Sequence, residues 1–241
     1  MPKGSQEGPK VYAVGVGPGD PELMTRKAER VLRHVDVIVA PVSKPQEASV
    51  ALETARGILD ETRQEIILHQ FPMTSDKSRL LQAWQEAAAL IVARVEAGQE
   101  VAFITIGDPL FYSTFIYLLR IFKTSYPWIP VEIVPGISSI NAAAAQAMVP
   151  LVEGDERMLI IPATGGLDLI KAALASCETL VLLKVKPVYA EILELLRQTG
   201  REQAAIFVER VGSNRQKVLT DIGDMARHKP DYLSLMIIRC S

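Results

Sequence analysis

Three short stretches carry residue types able to do chemistry, and each follows an apolar run: GVGPGD at 15–20, ITIGDP at 104–109 and VPGISS at 134–139. Gly15, Gly17 and Gly19 leave the backbone bare, while Pro18 fixes one φ angle between glycines free to take positive φ, so the first turn is tight and stiff. Asp20 and Asp108 set a carboxylate at such corners. That group repels phosphate but accepts hydrogen bonds from ribose hydroxyls or an amine. Free amides at a helix opened by Ser138 and Ser139 suit a ligand carboxylate. An amino-acid nucleoside has both kinds of group. Taken singly, Asp20, Asp108 and the two serines read more simply as helix caps; the combination is what points to a ligand.

Two phosphate-binding readings fail. In a dinucleotide GxGxxG the third glycine would fall at Asp20, and the acid expected to end the second strand is absent, since VDVIVAPV has Asp36 at its start. No Gly-Lys-Ser/Thr follows, which excludes a Walker loop. His34, His69 and His228 are scattered, and Cys177 and Cys240 form no CxxC or Cys/His spacing, so no protein-bound metal is expected and a reducing compartment is the simplest inference.

Around these corners the chain alternates strand and helix. An apolar strand over 11–16 feeds a helix over 21–33, with Asp20 as N-cap and Pro21 at its first position. A second strand covers 35–39, after which Pro41 and Pro45 bracket Ser43 and Lys44. A helix over 49–59, a strand over 66–68 and the loop HQFPMTSD follow. Asp76 caps a long helix whose Leu80, Leu81, Trp84, Ala88, Ile91, Val92 and Val95 follow helical spacing, with Trp84 read as core. A strand over 101–106, a helix over 113–123 and a strand over 131–134 come next. A second half holds helices over 137–148, 168–175 and 188–199, and strands over 158–161, 180–185, 204–208 and 233–238. The spacing predicts two α/β domains, 1–130 and 131–241.

Composition fits this. The chain has 241 residues, 49% hydrophobic and 22% charged, which excludes disorder and allows one large or two small domains. A net charge of 26 − 28 = −2 provides no general basic field for nucleic acid or acidic membranes. No apolar run approaches the ~20 residues a bilayer requires, and MPKGSQEGPK lacks an apolar signal core, so a cytoplasmic protein without nucleic-acid or membrane partners is expected.

GVGPGDPELMTRKA, the IGDP corner, VPGISS and the closing YLSLMII resemble the tetrapyrrole (corrin/porphyrin) methylase family, from about Val11 to the C-terminus. Within it, Ser43-Lys44, LHQFPMTSD and GDPLFYSTF are similar to precorrin-2 / cobalt-factor-II C20-methyltransferases. The resemblance implies the class III methyltransferase fold, two α/β domains with a ligand trough between them. It also implies a homodimer, S-adenosylmethionine as methyl donor with S-adenosylhomocysteine as product, and a tetrapyrrole acceptor in cobalamin biosynthesis. By motif it puts Ile106, Gly107, Asp108, Phe111, Ser138, Ser139, Lys184, Arg210, Leu233 and Ser234 at the cofactor. Gly17, Pro18, Gly19, Asp20, Lys44 and Tyr112 fall at the acceptor, with Lys77 and Arg79 as further cations for its carboxylates. Several relatives have an apolar residue or methionine at Lys184 and a small residue at Arg210, so either can instead face the acceptor. No catalytic base is identified. Another acceptor, such as uroporphyrinogen III, a different corrin carbon, or a protein or RNA target, remains the alternative within the fold, and a non-enzymatic nucleotide sensor the alternative outside it.

Overall fold

The computed structural model describes residues 8–44 and 47–240, which divide between Ser138 and Ser139 into two compact units. Pro45, expected beyond Ser43 and Lys44, and the first seven residues lie outside the described residues.

The first unit is a five-stranded sheet in the order β3-β2-β4-β1-β5, built from β1 (Val11–Gly15), β2 (Val37–Val42), β3 (Glu65–Gln70), β4 (Val101–Thr105) and β5 (Val131–Val134). Every pairing is parallel, with Val11 opposite both Val101 and Val131. A parallel sheet is covered on both faces, which is why its strands read as continuous apolar runs. Side chains alternate between those faces. Val14, Ile38, Ala102 and Ile104 pack with Ala28 and Leu32 of α1 (Arg26–Leu32) and with Ala51 and Leu52 of α2 (Val50–Ala55). Ala13, Val39 and Phe103 pack with Ile91 and Val92 of α3 (Lys77–Glu96) and with Phe115 and Leu118 of α4 (Phe115–Ser125).

Because β5 pairs with β1, residues 131–138 belong to the first unit, and the boundary falls at 138/139 rather than at 130/131. The helix expected over 21–33 is two pieces. Asp20 caps only a 3-10 turn, Pro21–Leu23, by accepting from Glu22 N at 2.9 Å. Thr25 is extended and begins α1 anew, its hydroxyl accepting from Ala28 N at 3.1 Å. The buried stripe of α3 is also rotated from the expected one: Ala83 and Ala87 are buried, Leu81 is exposed and Trp84 is only half-buried. Small alanines let α3 lie close to the sheet, leaving Trp84 to stack flat on Tyr117, with centroids 3.9 Å apart and planes 3° apart.

All five strands end at one edge, and there three glycines meet. A Cβ on Gly15 would overlap the carbonyl oxygen of Gly107 and come 2.7 Å from Gly136 N. One on Gly136 would overlap the same oxygen and come 2.9 Å from the Gly15 Cα. Gly107, at φ 70°, donates its N–H to the Gly17 carbonyl at 2.7 Å, tying the β4 corner to the β1 corner.

The second unit opens with α5 (Ser139–Ala147). Its sheet, in the order β6-β7-β10-β8-β9, joins β6 (Met158–Pro162), β7 (Thr179–Leu183), β8 (Ala205–Glu209), β9 (Lys217–Leu219) and β10 (Ser234–Arg239). Only β6 and β7 are parallel. Leu180, Leu182, Phe207, Met236 and Ile238 pack against α6 (Leu167–Leu174), α7 (Tyr189–Gln198) and α8 (Ile222–Arg227) through Ile170, Ile192, Leu196 and Met225. Sequence patterning did not anticipate β9 or α8: β9 has three residues, none buried, and α8 buries only Met225. Cys177 and Cys240 are both free thiols.

Two substitutions test this packing. Gly136→Ala should destabilise the chain by about 3 kcal/mol through backbone overlap, whereas Gly57→Ala, where an added Cβ meets nothing within 4 Å, should be near neutral; urea denaturation of both variants separates them. Tyr189 is 6% exposed, and its hydroxyl has no hydrogen-bond partner among the described residues. Burial, and then the charge of Glu209, push its phenol up to about 12. Tyr189→Phe should therefore raise unfolding stability by about 1 kcal/mol, and a comparable loss in the same titration would show that the hydroxyl is satisfied.

Candidate functional site

The C-terminal edge of the first sheet is built on the glycine contact. Asp108 follows it and spends both oxygens on backbone: Oδ1 accepts from Leu110 N at 2.8 Å and Oδ2 from Gly136 N at 3.1 Å. The first bond is the local cap expected from sequence. The second spans 28 residues and braces the β4 corner against the β5 corner. Each oxygen keeps a further lone pair for a ligand hydroxyl. Gly107 is open on the side its side chain would occupy, with nothing within 4 Å of a built Cβ.

Beyond Asp108 the loop turns outward. Phe111 is 38% exposed and Tyr112 49%, in an edge-to-face pair with centroids 5.0 Å apart. Ser113 then turns the chain into α4, its hydroxyl donating to Thr105 Oγ1 at 3.2 Å and accepting from Phe115 N at 3.2 Å. On the β1 corner, Gly17 and Pro18 are buried, while Gly19 and Asp20 are half-buried. Lys44, at the end of β2, and Lys77 and Arg79, in the first turn of α3, are exposed. Ser43 is bonded to Glu47. The first edge thus gathers Ile106, Gly107, Asp108, Phe111 and Tyr112 with the 17–20 turn and Lys44, and Ser138 is the last residue of this unit.

The other predicted residues lie in the second unit, where Ser139 opens α5 and the rest gather at one edge of the sheet. Antiparallel pairing sets Leu235 opposite Leu183 and Ser234 opposite Glu209, so the start of β10 lies beside the ends of β7 and β8. Lys184, Arg210, Leu233 and Ser234 therefore share one sheet edge. Arg210 N donates to the Leu233 carbonyl at 2.8 Å, and Ser234 Oγ to the Asp231 carbonyl at 2.7 Å.

Positive φ occurs at some of these positions. Among the described residues, the non-glycine residues at positive φ are Tyr112 at 51°, Met148 at 53°, Lys184 at 56° and Arg210 at 47°. Such conformations cost free energy; three of the four, Tyr112, Lys184 and Arg210, are residues that the family resemblance places at a ligand.

Sequence reasoning missed a network beside Arg210. Asp231 accepts from Arg210 Nε at 2.8 Å and from Leu233 N at 3.2 Å. Burial pushes the Asp231 carboxyl up, but the Leu233 amide and the Arg210 guanidinium outweigh it and hold the group below its ordinary range. Glu209, 6% exposed, accepts from Asp231 N at 2.6 Å and lies 3.0 Å from His228 Nε2. An acid closing the otherwise apolar strand AIFVE was the available signal. Among the described residues no group of three or more His, Cys, Asp or Glu could hold a metal ion, and no helix is long and apolar enough to cross a membrane.

Comparison with known proteins is consistent with this geometry. The model of the Tetrapyrrole (Corrin/Porphyrin) Methylases matches residues 10–226. A probable cobalt-precorrin-2 C(20)-methyltransferase of Methanocaldococcus jannaschii is 42% identical over 233 residues, covering 95% of this chain and 96% of that protein. A cobalt-precorrin-2 C(20)-methyltransferase of Salmonella typhimurium is 38% identical over 200 residues, covering 83% and 82%. The solved structure of a uroporphyrin-III C-methyl transferase from Thermus thermophilus, complexed with S-adenyl homocysteine, has the same fold, with a TM-score of 0.63 at 23% identity over 95% of this chain and 96% of that one. With a family model spanning most of its length and relatives this similar along nearly all of it, the chain belongs to the tetrapyrrole (corrin/porphyrin) methylase family.

Proposed function

We infer that this chain is a methyltransferase that moves a methyl group from S-adenosylmethionine to C20 of precorrin-2 or its cobalt complex in cobalamin biosynthesis. The observation that carries this is 42% identity, end to end, with the Methanocaldococcus relative named for that reaction. The site chemistry supports it: carboxylates at Asp20 and Asp108 disfavour a phosphate ligand and suit a nucleoside without one.

The residues present fit the donor. The open side of Gly107 leaves room for a ligand against bare backbone, and Asp108 keeps lone pairs for ribose hydroxyls. We assign Ile106, Gly107, Asp108, Phe111, Ser138 and Ser139 to the amino-acid and ribose portions, and Lys184, Arg210, Leu233 and Ser234 to the adenine. Gly17, Pro18, Gly19, Asp20, Lys44 and Tyr112 are assigned to the acceptor, with Lys44, Lys77 and Arg79 answering its carboxylates.

S-adenosylmethionine, when bound, supplies a methyl on a sulfonium whose departure leaves a neutral thioether. The protein's task is therefore to position rather than to stabilise a new anion. Holding the accepting carbon in line and excluding water can supply roughly 7–11 kcal/mol of the barrier. The stiff glycine-proline turn and the braced Asp108 corner provide fixed walls for that purpose. Any cobalt enters as part of the acceptor. The reading includes a homodimer working in the cytoplasm without nucleic-acid or membrane partners, in keeping with a net charge of −2.

Incubation with labelled S-adenosylmethionine and, separately, precorrin-2, cobalt-precorrin-2 and uroporphyrinogen III tests the reaction. One of the first two should gain a methyl at C20; methylation of uroporphyrinogen III alone would overturn the assignment. Asp108→Ala should weaken S-adenosylhomocysteine binding tenfold or more, about 1.4 kcal/mol or greater, with little change in acceptor KM. Calorimetry and steady-state kinetics check this, and equal losses on both sides would remove Asp108 from the donor site.

A further inference from the structure

Asp231 is not among the residues assigned to donor or acceptor, yet three of those residues are bonded to it. Its Oδ2 accepts from Arg210 Nε at 2.8 Å, its Oδ1 from Leu233 N at 3.2 Å, and its carbonyl from Ser234 Oγ at 2.7 Å. Arg210 N donates to the Leu233 carbonyl at 2.8 Å and closes the ring. Glu209, itself buried, accepts from Asp231 N at 2.6 Å and ties the group to the end of β8.

The two carboxylate bonds differ in kind. The Leu233 bond joins residues two apart and is an ordinary aspartate turn, which shapes the entry into β10 whatever the site does. The Arg210 bond spans 21 residues. Both of its side chains are 23% exposed, whereas Arg215 stands 4.0 Å from the same oxygen, beyond hydrogen-bond reach, with its side chain 68% exposed. Arg210 also sits at φ 47°, a conformation that persists only where its surroundings over-determine it. A long cation free to sample its rotamers loses that freedom when a ligand orders it; one already held loses less. With Nε bonded to Asp231, the plane of the guanidinium is set before a ligand arrives.

We propose that Asp231 is a positioning residue for the methyl donor: through Nε it sets the Arg210 guanidinium against the adenine, so that its loss loosens donor binding and leaves the acceptor untouched. This rests on the assignment of Arg210, Leu233 and Ser234 to the adenine.

Asp231→Asn separates the two bonds, since an amide oxygen still accepts from Leu233 N while the amide nitrogen, a donor, faces Arg210 Nε. Calorimetry with S-adenosylhomocysteine should show a several-fold loss of affinity in D231N. Steady-state kinetics should show a raised KM for S-adenosylmethionine with acceptor KM and kcat held, a split that general loosening of the fold would not produce. R210M should show a similar loss, and R210M/D231N no more than R210M alone, because Asp231 acts through Arg210. Undiminished affinity in D231N, losses that multiply in the double variant, or both KM values rising together would overturn the proposal. So would undiminished affinity in R210M: if Asp108→Ala still weakens S-adenosylhomocysteine, the donor site stands without Arg210, and if neither variant weakens it, the donor assignment itself falls.

Discussion

Backbone-to-backbone contact among Gly15, Gly107 and Gly136 is the constraint on which the candidate site edge of the first unit depends. Three adjacent strands, β4, β1 and β5, end there with no side chain between them, so their loops start from nearly touching peptide planes. The Gly107-to-Gly17 bond and the Asp108-to-Gly136 bond then fix those loops to one another. A carboxylate that sequence alone reads as a cap or a ligand group thus has a prior duty to the fold. That duty leaves room for the proposed ligand role, because a carboxylate offers about four acceptor sites and the backbone takes two.

The second unit reaches a similar end by a different route. Its sheet is mostly antiparallel, so a strand start, rather than only strand ends, is brought to the edge where Lys184 and Arg210 sit. The positive φ of both residues turns the chain sharply as it leaves the sheet. Asp231 secures the result by holding the Arg210 guanidinium and the Leu233 amide together. Glu209 holds Asp231 from beneath.

Much of the fold was legible because parallel strands buried on both faces leave long apolar runs, and because Gly and Pro punctuate them. The strands around Val11, Val101 and Val131 followed from that, and the long α3 from its helical spacing and the Asp76 cap. What escaped was set by tertiary context. The rotated stripe of α3 depends on how closely alanines approach the sheet, and the break at Thr25 reflects a second cap competing with Asp20. The 3-residue β9 and the single buried side chain of α8 leave almost no periodic trace. At the candidate site, Gly107 and Asp108 stood out by type and spacing, and Tyr112 came only with the family resemblance. The Glu209–Asp231 pair did not, because 22 residues separate partners whose bond exists only once β8 and β10 are paired.

The place of β10 in its sheet also bears on how the chain is made. Residues 139–241 need β10 at their centre, between β7 and β8, yet it is the last strand to be synthesised. From Leu183, where β7 ends, to Arg239, where β10 ends, the ribosome adds 239 − 183 = 56 residues, which takes about 3–11 s at typical elongation rates. Throughout that interval β7 and then β8 carry apolar edges without their central partner, while the first unit, whose five strands precede residue 135, already has every strand it needs. The second unit is therefore most vulnerable to aggregation while residues 184–239 are being made, and there a chaperone has the most to protect.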